Sequence, residues 1–113
     1  TVAENKVTYK TETVGEGDPE LGGSLMKMFF YTLSQSDDLP EAVLFMNGGV
    51  KLPTLNDQVA GHLCELAGKG VDVLVCGTCL NFYGIADKLQ VGTVSNMYDI
   101  VERMKRAGKV VSL

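Results

Sequence analysis

Short, nearly continuous apolar runs separated by helix-length amphipathic stretches most restrict the fold of this chain. Residues 42–46 (Ala-Val-Leu-Phe-Met) and 71–75 (Val-Asp-Val-Leu-Val) hold a single polar residue between them. Neither shows the alternation of a strand with one wet face, so both read as strands covered on two sides. Strands of that kind belong to parallel sheets, whose crossover connections lay helices over the faces. Three weaker strand candidates, at 7–13, 91–94 and 110–111, complete five. Four helical stretches are expected between them, at about 19–35, 56–69, 79–88 and 97–107. The expected fold is therefore α/β, a three-layer α/β/α sandwich with a five-stranded, mostly parallel sheet.

Local signals support the boundaries. Asp18 can cap the first helix, Pro19 suits its first position and Glu20 complements the dipole. Gly70 stops the second helix. Asn96 followed three residues later by Asp99 resembles a capping box. In the first helix Leu21, Leu25, Met28, Phe29 and Leu33 make one apolar stripe, which Met26, Phe30 and Tyr31 widen. A helix apolar on most sides is buried on most sides, and the expected cover is another subunit or a neighbouring domain, with self-association favoured.

At 113 residues the chain is one domain spanning 1–113, and its start at Thr1 without a methionine suits the C-terminal part of a longer protein. The net charge of −4 and the lack of a basic stretch interleaved with aromatics argue against nucleic acid or an anionic membrane as partner. No apolar run approaches the ~20 residues that span a bilayer. Three cysteines are too few, and odd in number, for a secreted disulfide framework, so a reducing cytoplasmic setting is expected.

The chemistry-bearing motif is Cys76-Gly77-Thr78-Cys79, placed where a strand ends and a helix begins. Free backbone N–H groups and the positive dipole end favour a thiolate there, and such settings lower a cysteine pKa from about 8.5. Cys76, ahead of the helix, is the expected nucleophile; Cys79, one turn in, is the expected resolving thiol. The bland alternative is a pair of small buried hydrophobes. Ligand sites in open parallel sheets lie at the carboxyl ends of the strands, near the point where strand order reverses. That edge brings Asn47, Lys51, Asn96 and Tyr98 toward the cysteines, and Gly77 and Thr78 complete the candidate binding set. Tyr83 reads as local packing, which is also the bland alternative for Tyr98.

Other readings fit less well. A zinc site drawing on His62 and Cys64 fails because residues two apart on a helix point in different directions. His62 reads as solvated and Cys64 as packing. Gly15, Gly17 and Gly22 do not form a dinucleotide fingerprint, and Glu16, Asp18 and Glu20 would repel a phosphate. No metal or other cofactor is expected. A thioredoxin-like arrangement needs a proline downstream of its CxxC, whereas Pro19, Pro40 and Pro53 all precede this one.

Five segments carry a family resemblance: GEGDPELG at 15–22, LMK at 25–27, FMNGGVKL at 45–52, GV through CGTCL at 70–80, and VGTVSNMYDIV at 91–101. With these the chain resembles the DsrE/DsrF-like superfamily, and within it the C-terminal domain of YedF-type, sulfurtransferase-like selenium-metabolism proteins. The resemblance implies an oligomerising α/β/α sandwich in which one strand-end cysteine, with a glycine eight residues on, carries a persulfide. That position falls on Cys76, with Gly84 eight later. It also implies sulfur or selenium donor and acceptor proteins, a TusA-like carrier among them, and an N-terminal TusA-like domain that this sequence does not contain. The expected function is a sulfurtransferase-like carrier loaded on Cys76 and resolved by Cys79. The rivals are a dithiol redox protein and an interaction module that docks a partner on the apolar first helix.

Overall fold

The computed structural model describes the backbone of residues 5–9 and all of residues 17–113. The described chain is an α/β fold around a parallel sheet. Its strands are β1 (Asn5–Tyr9), β2 (Ala42–Phe45), β3 (Asp72–Cys76), β4 (Thr93–Ser95) and β5 (Lys109–Ser112). They lie in the order β4-β3-β2-β1-β5, every neighbouring pair parallel. The two apolar runs take the inner places beside one another, with Val43 opposite Val73 and Phe45 opposite Val75. All four β2 side chains are buried, so helices cover both of its faces.

The helices are α1 (Pro19–Gln35), α2 (Leu52–Leu55), α3 (Asp57–Gly68), α4 (Gly77–Tyr83) and α5 (Met97–Arg106). From β1 to β4 each connection steps one way across the sheet, and only the α5 connection returns, past β1 to β5. Right-handed crossovers place forward and returning connections on opposite faces. Accordingly α1 packs on α3, while α5 packs against β3 and sinks Ile100 fully into the core. An Arg103–Asp72 ion pair of 2.7 Å ties α5 to the start of β3.

The expected caps at Asp18 and Asn96 form, and Asn56 adds a third. Asp18 Oδ1 accepts from the Leu21 N–H at 2.9 Å, Asn56 Oδ1 from Val59 at 3.1 Å, and Asn96 Oδ1 from Asp99 at 2.9 Å. Gly70 ends α3 at φ +94°, a conformation that a side chain would disfavour. Three expectations are corrected. The first strand begins at Asn5, two residues ahead of the expected 7–13, and is described to Tyr9; residues 10–13 lie outside the described residues, as do Gly15 and Glu16. The helix expected at 79–88 already begins at Gly77 and stops at Tyr83. There Gly84 turns left-handed at φ +67° and the Ile85 N–H reaches back to the Leu80 carbonyl at 3.0 Å, the usual helix-ending pair of events.

The third correction concerns α1. Its buried stripe is Gly22, Met26, Phe30 and Ser34, while Leu21, Leu25, Met28 and Tyr31 are exposed. Gly22 and Ser34 bound the stripe, and within it Phe30 meets Phe45 of β2 at a ring separation of 6.0 Å. Tyr31 turns instead toward α3, edge-on to His62 at 5.5 Å. His62 is thus half-buried between helices rather than solvated, whereas Cys64 is exposed rather than packed.

Candidate functional site around Cys79

The turn after β2 shapes the site. Asn47 has φ +52°, a left-handed conformation that asparagine tolerates better than most residues. It bends the chain out of the strand into a 3-10 turn over Asn47–Lys51. The bend aims the Asn47 N–H at the next strand end, where it donates to Cys79 Sγ at 3.1 Å. The Asn47 side chain serves the same cluster, its Oδ1 accepting from the Tyr83 hydroxyl at 3.4 Å. Lys51 Nζ then sits over the Tyr83 ring, 4.7 Å from its centre.

A cavity of about 260 Å³ opens here, lined by Asn47, Thr78, Cys79, Phe82 and Tyr83. Cys79, Phe82 and Tyr83 share it because residues three and four apart lie on one helix face. That spacing is the signal that could have drawn Tyr83 into the expected site. Phe82 is 83% exposed and forms the lip.

The two cysteines occupy the reverse of their expected settings. Cys76 is the last residue of β3, and its side chain belongs to the buried core at 2% exposure. It makes no side-chain bond to the amides of α4. The reason is geometric: Cys76 shares a sheet face with Leu74, because strand side chains alternate, and that face is packed. Cys79 is half-buried and lines the cavity. Cys76 stands near enough to influence the Cys79 thiol.

The electrostatics at Cys79 work against a thiolate. Burial pushes the Cys79 thiol above its ordinary value; the Asn47 N–H pulls it down, and the Cys76 side chain, as hydrogen-bond partner and charge, pushes it up again. With only seven residues in α4, the helix dipole adds little against this. A raised pKa leaves less thiolate at neutral pH than in a free cysteine. Alkylation of the Cys79 peptide by iodoacetamide is therefore expected to be slow at pH 7. Its rate should climb with a midpoint above the free-cysteine value of about 8.5. A midpoint below that value would restore the activated-thiolate picture.

Of the remaining expected residues, Gly77 and Thr78 belong to the first turn of α4. A side chain at Gly77 would meet Val94 Cγ1 at 3.0 Å and the Ser95 carbonyl at 3.3 Å, so glycine lets α4 start tight against β4. Thr78 lines the cavity. Asn96 is committed to capping α5, and Tyr98, 81% exposed, does not line the cavity. Both were expected here because they follow a strand end at the correct sheet edge. The cavity instead forms between the β2 and β3 loops, two strand positions from the β1/β5 boundary where strand order reverses.

The DsrE/DsrF-like family model matches residues 26–113. The chain belongs to this family, which is associated with sulfur relay. Among solved structures it is similar to the ychN protein from E. coli, at 17% identity and a TM-score of 0.71, with 97% of this chain and 99% of that one covered. A conserved protein of unknown function from Bacteroides thetaiotaomicron, BT1422, gives 17% identity and a TM-score of 0.67 over 97% and 95% of the two chains. MTH1491 of Methanobacterium thermoautotrophicum, also of unknown function, gives 20% and 0.65 over 97% and 99%. At these identities the likeness is one of fold. No curated protein sequence matches.

Proposed function

We propose that the protein is a sulfur carrier of the sulfurtransferase type, with the persulfide formed on Cys79 and Cys76 as the resolving thiol behind it. The roles are exchanged from those expected because Cys79 lines an open cavity and Cys76 is sealed in the core. The observation that carries the reading is the Asn47 N–H held 3.1 Å from Cys79 Sγ, a fixed donor for sulfur that becomes anionic.

Loading proceeds when the Cys79 thiolate attacks the outer sulfur of a donor persulfide. The donor S–S bond breaks, the donor leaves as its thiolate, and the outer sulfur remains on Cys79 with its proton. A persulfide is more acidic than the thiol it replaces, so the loaded form holds the anion that Asn47 can stabilise. Discharge occurs when an acceptor thiolate attacks that outer sulfur and Cys79 departs as thiolate. Alternatively Cys76, as thiolate, attacks Cys79 Sγ and expels hydrosulfide. That route leaves a Cys76–Cys79 disulfide, which an external dithiol must reduce. A perselenide would follow the same course. Donor and acceptor proteins, a TusA-like carrier among them, fit this chemistry in a cytoplasmic setting. The exposed Leu21, Met28 and Tyr31 of α1 support self-association.

Intact-mass measurement after incubation with a persulfide donor tests the reading. The expected product is heavier by about 32 Da, one sulfur atom, and loses that mass with dithiothreitol. The reductant matters, because the two oxygens of a sulfinic acid add nearly the same mass and are not removed. A loss of about 2 Da as the sole change would favour the dithiol redox rival instead.

A further inference from the structure

Among the described residues Asn47 is the one non-glycine with a positive φ, at +52°. A residue with a Cβ pays backbone energy for that conformation and keeps it where its surroundings fix it. Asn47 is exposed, so burial does not fix it. Two contacts from one face of α4 reach it instead. Its N–H donates to Cys79 Sγ at 3.1 Å, and the Tyr83 hydroxyl donates to its Oδ1 at 3.4 Å. Residues 79 and 83 are four apart on α4 and therefore stand one above the other. The helix thus clasps one asparagine by its backbone and by its side chain. The ring that carries the hydroxyl is itself placed, edge-on to Phe82 at 5.2 Å and with Lys51 Nζ over its face.

We propose that Tyr83 is a positioning residue for the sulfur site, its hydroxyl holding Asn47 so that the amide stays on Cys79 Sγ. Its part in sulfur transfer rests on the carrier reading above: sulfur that becomes anionic on loading, and leaves as thiolate on discharge, gains from a donor already in place. Tyr83 makes and breaks no bond to sulfur. Its influence passes through Asn47 and reaches the sulfur as charge. The Asn47 N–H favours the anion, while burial and the Cys76 side chain oppose it. A hydroxyl that served packing only would leave that balance where it is.

Tyr83→Phe tests this, because it keeps the ring and removes one oxygen. The alkylation midpoint of the Cys79 peptide is expected to rise by roughly half a pH unit, about a threefold loss of thiolate at neutral pH. Asn47→Gly accepts the left-handed backbone and lacks Oδ1, so it should raise the midpoint by a similar amount. In the Asn47→Gly background Tyr83→Phe should add nothing, since the hydroxyl then has no oxygen to hold. An unmoved midpoint in Tyr83→Phe would overturn the proposal. The 3-10 turn, whose Gly49 N–H bonds the Met46 carbonyl at 3.0 Å, would then be what holds Asn47. Equal shifts from Tyr83→Phe in both backgrounds would also sink it, because the hydroxyl would be acting on the sulfur without Asn47.

Amide hydrogen exchange supplies a second measure that needs no cysteine chemistry. The Asn47 N–H should exchange about threefold faster in Tyr83→Phe, with Leu63 on the buried face of α3 unchanged. Equal acceleration at both positions would mean general loosening and would count against the assignment. Both measurements use unloaded protein. A wild type that takes up no sulfur would sink the carrier reading alone, and a Tyr83→Phe variant with wild-type midpoint and exchange would sink this inference alone.

Discussion

A Cys79→Ser variant is expected to take up no sulfur, with loading reduced by at least roughly a hundredfold. Cys76→Ala should still gain one sulfur atom per chain. The argument is one of access. Among the described residues only Cys79 presents sulfur to the cavity lined by Thr78, Phe82 and Tyr83, and it receives the Asn47 N–H. Cys76 at 2% exposure cannot meet the sulfur of a donor without opening the core. Alanine is the better replacement at 76, because a buried serine hydroxyl would add a desolvation cost of its own. Cys76→Ala should also stop release of hydrosulfide by the internal route, while transfer to an external thiol continues. Loading that survives in Cys79→Ser and disappears in Cys76→Ala would return the carrier role to the strand-end cysteine.

Phe30→Ala is expected to destabilise the domain by about 3–5 kcal/mol, as full truncation of a buried aromatic does. Phe30 has no exposed surface, touches Phe45 on β2 and stands edge-on to Phe29 at 5.8 Å. Against a total stability on the order of 5–15 kcal/mol, that loss puts the fold near its limit. Urea unfolding should show a lower midpoint with the slope retained. Met28→Ala, at 63% exposure on the same helix, should cost less than about 0.5 kcal/mol in dilute protein. Equal costs at the two positions would contradict the burial described here. A Met28 cost that grew with protein concentration would report burial between copies of the chain.

These two experiments bracket what was legible beforehand. The inner strands could be read because a run such as Ala-Val-Leu-Phe has no hydrophilic face to present to water. Helix starts could be read because Asp18, Asn56 and Asn96 cap through their own side chains, a local interaction needing no tertiary partner. The buried face of α1 could not, since the helix is apolar nearly all round and periodicity gives no preference. Its contact with the sheet went to the stripe flanked by Gly22 and Ser34. Tyr83 reads as packing from the sequence alone, although it stands one turn after Cys79. Its role depends on Asn47 and Lys51, more than thirty residues earlier, meeting it across the strand ends.

The resemblance in 45–52 and 70–80 pointed to the family and to Cys76, the C-x-x-C spacing added Cys79, and the strand-to-helix pattern located them at one sheet edge. What only the folded chain decided is which sulfur faces outward. Alternation along β3 turns Cys76 into a packed face, the first turn of α4 swings Cys79 toward the loop after β2, and a left-handed asparagine there supplies the amide. Each of these depends on how neighbouring strands sit beside one another, which spacing along a sequence does not encode.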